Sequence, residues 1–113
     1  MTAEIDPKTV RIRELNEALR KERKGGKIFF AGSLSQADLI LKAGVYAAVA
    51  AAEVPADGDD PYGEADFGKV VVDGDKYLWK IDYYDKAMEY GSEDPSNPDI
   101  TERVLSIFRA EDY

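Results

Sequence analysis

The apolar positions of this 113-residue chain alternate between helical and strand-like repeats, and the changes of period predict its elements. Val10, Ile12, Leu15, Ala18 and Leu19 recur mostly at three- and four-residue spacing, which predicts an amphipathic first helix. Asp6 is placed as its N-cap, Pro7 fits its first position, and Gly25-Gly26 stops it. Arg20, Lys21, Arg23 and Lys24 crowd its last turn, where cations oppose the negative end of the helix dipole. Lys27 to Phe30 is a short strand closed by Ala31-Gly32. Ser35 and Asp38 form a capping-box-like start to a second helix reaching about Ala52. Its packing face is read as Leu39, Ile40, Ala43, Ala47 and Ala50.

Residues 53–66 are polar, with two glycines, two prolines and six acids, and predict a long loop. Phe67 to Val72 and Asp75 to Tyr83 then flank Asp73-Gly74, a pair suited to a type I′ turn. A two-residue turn sets the register: Val70 faces Tyr77, Gly68 faces Trp79 and Asp66 faces Ile81. Tyr77, Trp79 and Ile81 then share the core face, while Lys69, Lys76, Lys80 and Asp82 take the other. Ala87 to Tyr90 is a candidate third meander strand. Asn97 caps and Pro98 opens a last helix with the stripe Ile100, Val104, Leu105, Ile107 and Phe108. The expected fold is a single α+β domain over residues 1–113: three helices on a small, mainly antiparallel sheet built around a hairpin or meander.

Composition narrows the chemistry. There is no cysteine and no histidine, which removes disulfides, thiolate and Ser–His nucleophiles, and zinc sites built on either residue. No apolar run is long enough to span a bilayer, and a cytoplasmic protein without a membrane partner is expected. The net charge of −8 is unevenly spread. Residues 1–30 hold eight basic and five acidic groups, a net of +3, and residues 31–113 hold seven and eighteen, a net of −11. All but one of those eighteen acids lie from Glu53 onward. A domain of this length is about 35 Å wide, so eleven net charges amount to roughly one per 3 Å. Duplex DNA carries one per ~1.7 Å of axis, which makes charge mimicry of a nucleic-acid backbone feasible. Solubility is the plainer role of such a surface.

Dedicated metal chemistry fits poorly. Asp57, Asp59, Asp60, Glu64 and Asp66 are close in sequence, but an EF-hand loop from Asp57 would need a ligand and a glycine where Pro61 and Tyr62 stand. A carboxylate pair acting as acid and base needs no histidine, so a small carboxylate-dependent, divalent-metal-assisted enzyme is the alternative class. No nucleophile or cofactor motif supports it, and no enzyme activity, metal or cofactor is expected. The stretch Lys80 to Asp85 sets Tyr83 and Tyr84 among carboxylates, a pattern suited to meeting arginine and lysine. A half-buried tyrosine at a sheet edge is the plainer account of either residue.

Several longer segments are distinctive: RIRELNEALR (11–20), DPYGEADFG (60–68), WKIDYYD (79–85), GSEDPSNP (91–98) and TERVLSIFRAEDY (101–113). In this order, and over nearly the whole chain, they resemble an uncharacterised bacterial family of unknown function associated with mobile elements. The family pattern carries His at the position of Ala65, so this chain departs from any histidine-dependent activity of relatives. The chain also resembles small anti-CRISPR proteins directed at type I-C systems. That resemblance implies an inhibitor of phage defence that occupies the DNA-binding surface of a Cascade-type complex. The expected protein is then a monomeric, acidic inhibitor that binds a basic, nucleic-acid-binding protein surface and touches no nucleic acid itself. Its partner-binding set is Asp57, Asp59, Asp60, Glu64, Asp66, Asp73, Asp75, Asp82, Tyr84, Asp85, Glu89, Glu93 and Asp94.

Overall fold

A computed structural model describes residues 6–54 and 63–113. The first helix, α1 (Pro7–Glu22), begins as its sequence predicts, with the Asp6 carboxylate accepting from the Lys8 N–H and Pro7 in the first turn. It ends just before the glycine pair, at Arg23 in a left-handed conformation with φ 60°. The N–H groups of Arg23 and Lys24 close the last turn onto the Leu19 and Ala18 carbonyls. Strand β1 (Gly26–Phe30) follows, then a 3₁₀ turn (Gly32–Gln36). Ser35 lies inside that turn, bonded to the Gly32 carbonyl, and Asp38 alone caps α2 (Leu39–Ala51) through the Leu41 N–H.

Strands β2 (Phe67–Val72) and β3 (Asp75–Tyr84) form the predicted hairpin in the predicted register, Val70 opposite Tyr77 and Gly68 opposite Trp79. The Ile81 N–H bonds the Asp66 carbonyl beyond the end of β2. Asp73 and Gly74 both have positive φ, as a type I′ turn requires. Gly68 is obligatory for another reason: a Cβ there would stand 2.5 Å from the Trp79 ring.

The expected C-terminal helix is instead a strand, β4 (Glu102–Arg109), followed by a short 3₁₀ turn (Ala110–Asp112). The described residues thus hold two α-helices where three were expected. The sheet order is β1-β4-β3-β2, with β1 parallel to β4 and the other pairs antiparallel. Its central position explains the misreading. Leu105 and Ile107 are buried on the helix side, while Val104 and Phe108 are buried on the other. A strand covered on both faces loses its alternation, and its apolar run imitates a helical stripe. The proposed third meander strand is also corrected: residues 86–90 turn, Met88 has φ 61°, and one isolated bridge joins Tyr84 to Gly91.

Both helices cover one face of the sheet. Leu19 from α1 and Val45, Tyr46 and Val49 from α2 meet Tyr77, Trp79, Ile81, Leu105 and Ile107. The predicted face of α2 is therefore not the packed one. Leu39, Ile40, Ala43 and Ala47 are exposed, and only Ala50 packs partly against the core. Along the middle of the helix, Val45, Tyr46 and Val49 bury more apolar surface than Ala43 and Ala47 would, which favours this rotation although it leaves Leu39 and Ile40 outside.

Arg20 fastens the two helices. Its guanidinium is fully buried, donates to the Val49 and Ala52 carbonyls at 2.6 Å each, and pairs with Glu17 at 2.5 Å. It also lies 4.8 Å from the centre of the Trp79 ring. A cation thereby sits on carbonyls at the negative end of α2. In return, the Tyr46 hydroxyl donates to the Arg20 carbonyl. Among the described residues, no helix is long and apolar enough to cross a membrane.

Candidate functional site

Between β3 and β4 the chain makes a lobe of residues 85–101, at the sheet end where β3 finishes and β4 starts. It carries Asp85, Glu89, Glu93, Asp94 and Asp99 against the single cation Lys86, a net of −4. Short-range bonds fold it. Asp85 accepts from the Glu89 N–H through its carboxylate and from the Met88 N–H through its carbonyl, while its own N–H bonds the Tyr90 carbonyl. Asp94 Oδ1 takes both the N–H and the hydroxyl of Ser96, and Oδ2 lies 3.5 Å from Lys8 Nζ. The Ser96 bonds hold the Asp94 carboxyl below its ordinary value, with Lys8 adding to the effect. It stays an anion over the whole neutral range.

The lobe is pinned from inside by Thr101 and Arg103, at the start of β4. Thr101, buried at the entrance to the strand, bonds the Ser92 hydroxyl at 2.7 Å and the Asp94 carbonyl at 2.9 Å. Arg103, 1% exposed, donates to the Pro95 carbonyl and, at 2.6 Å, to Asn16 Oδ1 of α1. Asn16 passes the connection on, donating at 2.8 Å to the Tyr83 hydroxyl, which donates at 2.8 Å to Glu64. Burial pushes the Tyr83 phenol far above its ordinary value, and burial lowers that of Arg103. Tyr83 is neutral at any physiological pH, and its ring, 5.0 Å from the Arg103 guanidinium, faces that buried charge. Sequence reasoning passed over this network. Its signal was present: Asn16 and Arg20 fall four residues apart inside the apolar stripe of α1.

Around this scaffold the lobe presents apolar groups among its carboxylates. Tyr90 is 73% exposed, and Met88 and Ile100 are also open to solvent. A groove of about 470 Å³ is lined by Asp85, Lys86, Tyr90, Gly91, Glu93, Asp99 and Ile100. Tyr90, Asp99 and Ile100 were not among the predicted partner-binding residues. Their exposure depends on the turn that replaces the expected strand and helix start.

The predicted residues fall into separate groups. Asp57, Asp59 and Asp60 lie outside the described residues. Glu64 turns inward to Tyr83, and Asp66 sits beside it at the entry to β2. Asp85, Glu89, Glu93 and Asp94 come together in the lobe. Asp82 and Tyr84 adjoin it on the sheet face opposite the helices, Asp82 lying 3.4 Å from Lys80 and Tyr84 opposite Glu102. Asp73 and Asp75 are at the other end of the hairpin, about 30 Å away along β3 at roughly 3.4 Å per residue. Two cations from the first thirty residues meet the margin of the lobe: Lys8 at Asp94, and Lys27 at 3.9 Å from Glu102. Among the described residues, no group of three or more acids is arranged to hold a metal ion.

A family model described as a protein of unknown function, DUF3768, matches residues 30–112. The chain belongs to this family. The matched stretch contains α2, the hairpin, the acidic lobe and β4, and leaves out α1, which supplies Asn16 and Arg20. No curated protein and no solved structure matches the chain.

Proposed function

We propose that the chain is a non-enzymatic inhibitor whose acidic lobe seats on a lysine- and arginine-lined protein surface that normally holds nucleic acid. The observation that carries this reading is exposed Tyr90 sharing a groove with Asp85, Glu93, Asp99 and the one cation Lys86, on a lobe fixed by Thr101 and Arg103. Fixed carboxylates match a channel that grips nucleic acid by backbone charge, and a tyrosine among them adds cation–π contact with arginine. Preorganisation supports affinity, since the lobe loses little freedom when it docks. The likeness to type I-C anti-CRISPR proteins makes the RNA-guided surveillance complex the first target to try.

Purified type I-C complex, labelled target DNA and this protein form the decisive assay. Added protein is expected to reduce DNA binding, with a steep dependence on salt. Unchanged DNA binding at saturating protein discards the reading. Tyr90→Ala, at the centre of the surface, is expected to weaken the complex about tenfold, or roughly 1.4 kcal/mol.

A further inference from the structure

Six residues of α2 are exposed, Leu39, Ile40, Ala43, Gly44, Ala47 and Ala51, and none has a polar side chain. Leu39 is 80% and Ile40 86% exposed. A helix apolar on all sides belongs inside a protein, yet α2 has its second apolar face in water. We propose that this face is a homodimer interface in which α2 packs antiparallel against α2 of a second copy.

Three features select a second copy as the occupant. Shape is the first: the large side chains are at the start of the face and the small ones follow, so a twofold axis near the middle of the helix lays Leu39 and Ile40 of each copy over the alanines of the other. A parallel pairing would set large on large. Charge is the second. With a net of −8, two copies repel wherever carboxylates face each other, and the exposed face of α2 carries none. Its borders are self-complementary. Arg23 and Lys42 line a groove of about 310 Å³ beside Leu39 and Ala43, whereas Glu53, which also meets Lys21, stands past Ala51 with an 84% exposed side chain. The antiparallel copy sets the basic border of each helix near the carboxylate and negative dipole end of the other. The third is that this groove, floored by Ile28, Phe30 and Tyr46, continues the apolar area sideways. Isologous contact of this kind closes on itself and leaves no free end to propagate.

Sedimentation and light scattering on the full chain test the inference. The expected mass is twice 12.5 kDa, shifting to the monomer below the dissociation constant. Ala43→Glu and Ala47→Glu, made singly on exposed positions, are each expected to weaken the dimer at least tenfold while the melting temperature of the monomer is kept. Tyr90→Ala, on the acidic lobe, is expected to leave the mass unchanged, which separates this interface from the surface of the proposed function. A wild-type monomer into the millimolar range overturns the proposal and hands the face to a different protein. A dimer that survives both glutamate substitutions overturns it as well.

Discussion

Arg103 is 1% exposed, and two of its donors are spent on the Asn16 side chain and the Pro95 carbonyl. A buried guanidinium is retained only where such acceptors offset its lost hydration. Arg103→Met keeps the aliphatic stem but not the guanidinium and strands both acceptors, at an expected cost of about 2–4 kcal/mol in urea unfolding. The same variant should free the 92–97 segment, which amide exchange would register as lost protection. Tyr83 makes a pH prediction. Unfolded tyrosine titrates near 10, while the buried phenol keeps its proton well above that. The native state then holds a proton that the unfolded state has released, so stability is full below pH 10 and falls as the pH rises past it. Tyr83→Phe is expected to cost about 1–2 kcal/mol at neutral pH and to flatten that alkaline limb. Asp94 and Asp112 act at the other extreme. The carboxyl of each is lowered chiefly by a serine, Ser96 and Ser33 respectively. Their contribution is complete above their ordinary value of 3.8 and lost as the pH falls below it. Asp94→Asn should reduce the acid sensitivity of unfolding measured by circular dichroism.

At the scale of elements, legibility followed how local the deciding interactions were. The cap of α1 and the hairpin register rest on residues a few positions apart, and Asp6-Pro7 and Asp73-Gly74 announced both. Gly68 opposite Trp79 could be read as a pair of small and large before any coordinates. Gly68→Ala is expected to destabilise by about 1–3 kcal/mol through overpacking. The emission of Trp79, the chain's one tryptophan, would shift with it. The second helix and β4 were harder. Which side of α2 is buried depends on Trp79, Leu105 and Ile107, all distant in sequence, and α2 has only Lys42 to mark a polar side. In β4 the pattern of one central strand covered on both faces is indistinguishable from that of a helix stripe. The acids of the lobe were legible as a set, but their separation from Asp73 and Asp75 depended on the turn at 86–90 and on β4.

For the whole molecule, the charge imbalance becomes a spatial one. The lobe concentrates negative charge at one end of the sheet, whereas Lys27, Lys69, Lys76 and Lys80 lie on the face that no helix covers. Glu89→Lys with Glu93→Lys alters two exposed positions and should move the free energy of unfolding by no more than about 0.5 kcal/mol. The same pair should abolish competition with target DNA. Binding lost without stability lost is the signature of a contact surface, and a parallel loss of both would mean that the lobe is needed for folding.

The order of the strands in the sheet has a consequence for synthesis. As the polypeptide leaves the ribosome, β1 and the β2–β3 hairpin emerge first, yet neither borders the other. Residues 102–109 arrive last of the four and fill the gap between them. Until then Tyr77, Trp79 and Ile81 have no neighbouring strand on that side, so a nascent chain stalled before Glu102 is a substrate for chaperones and proteases. Little stable intermediate is expected along the way, and a ribosome-bound series of lengths should gain protease resistance in a single late step.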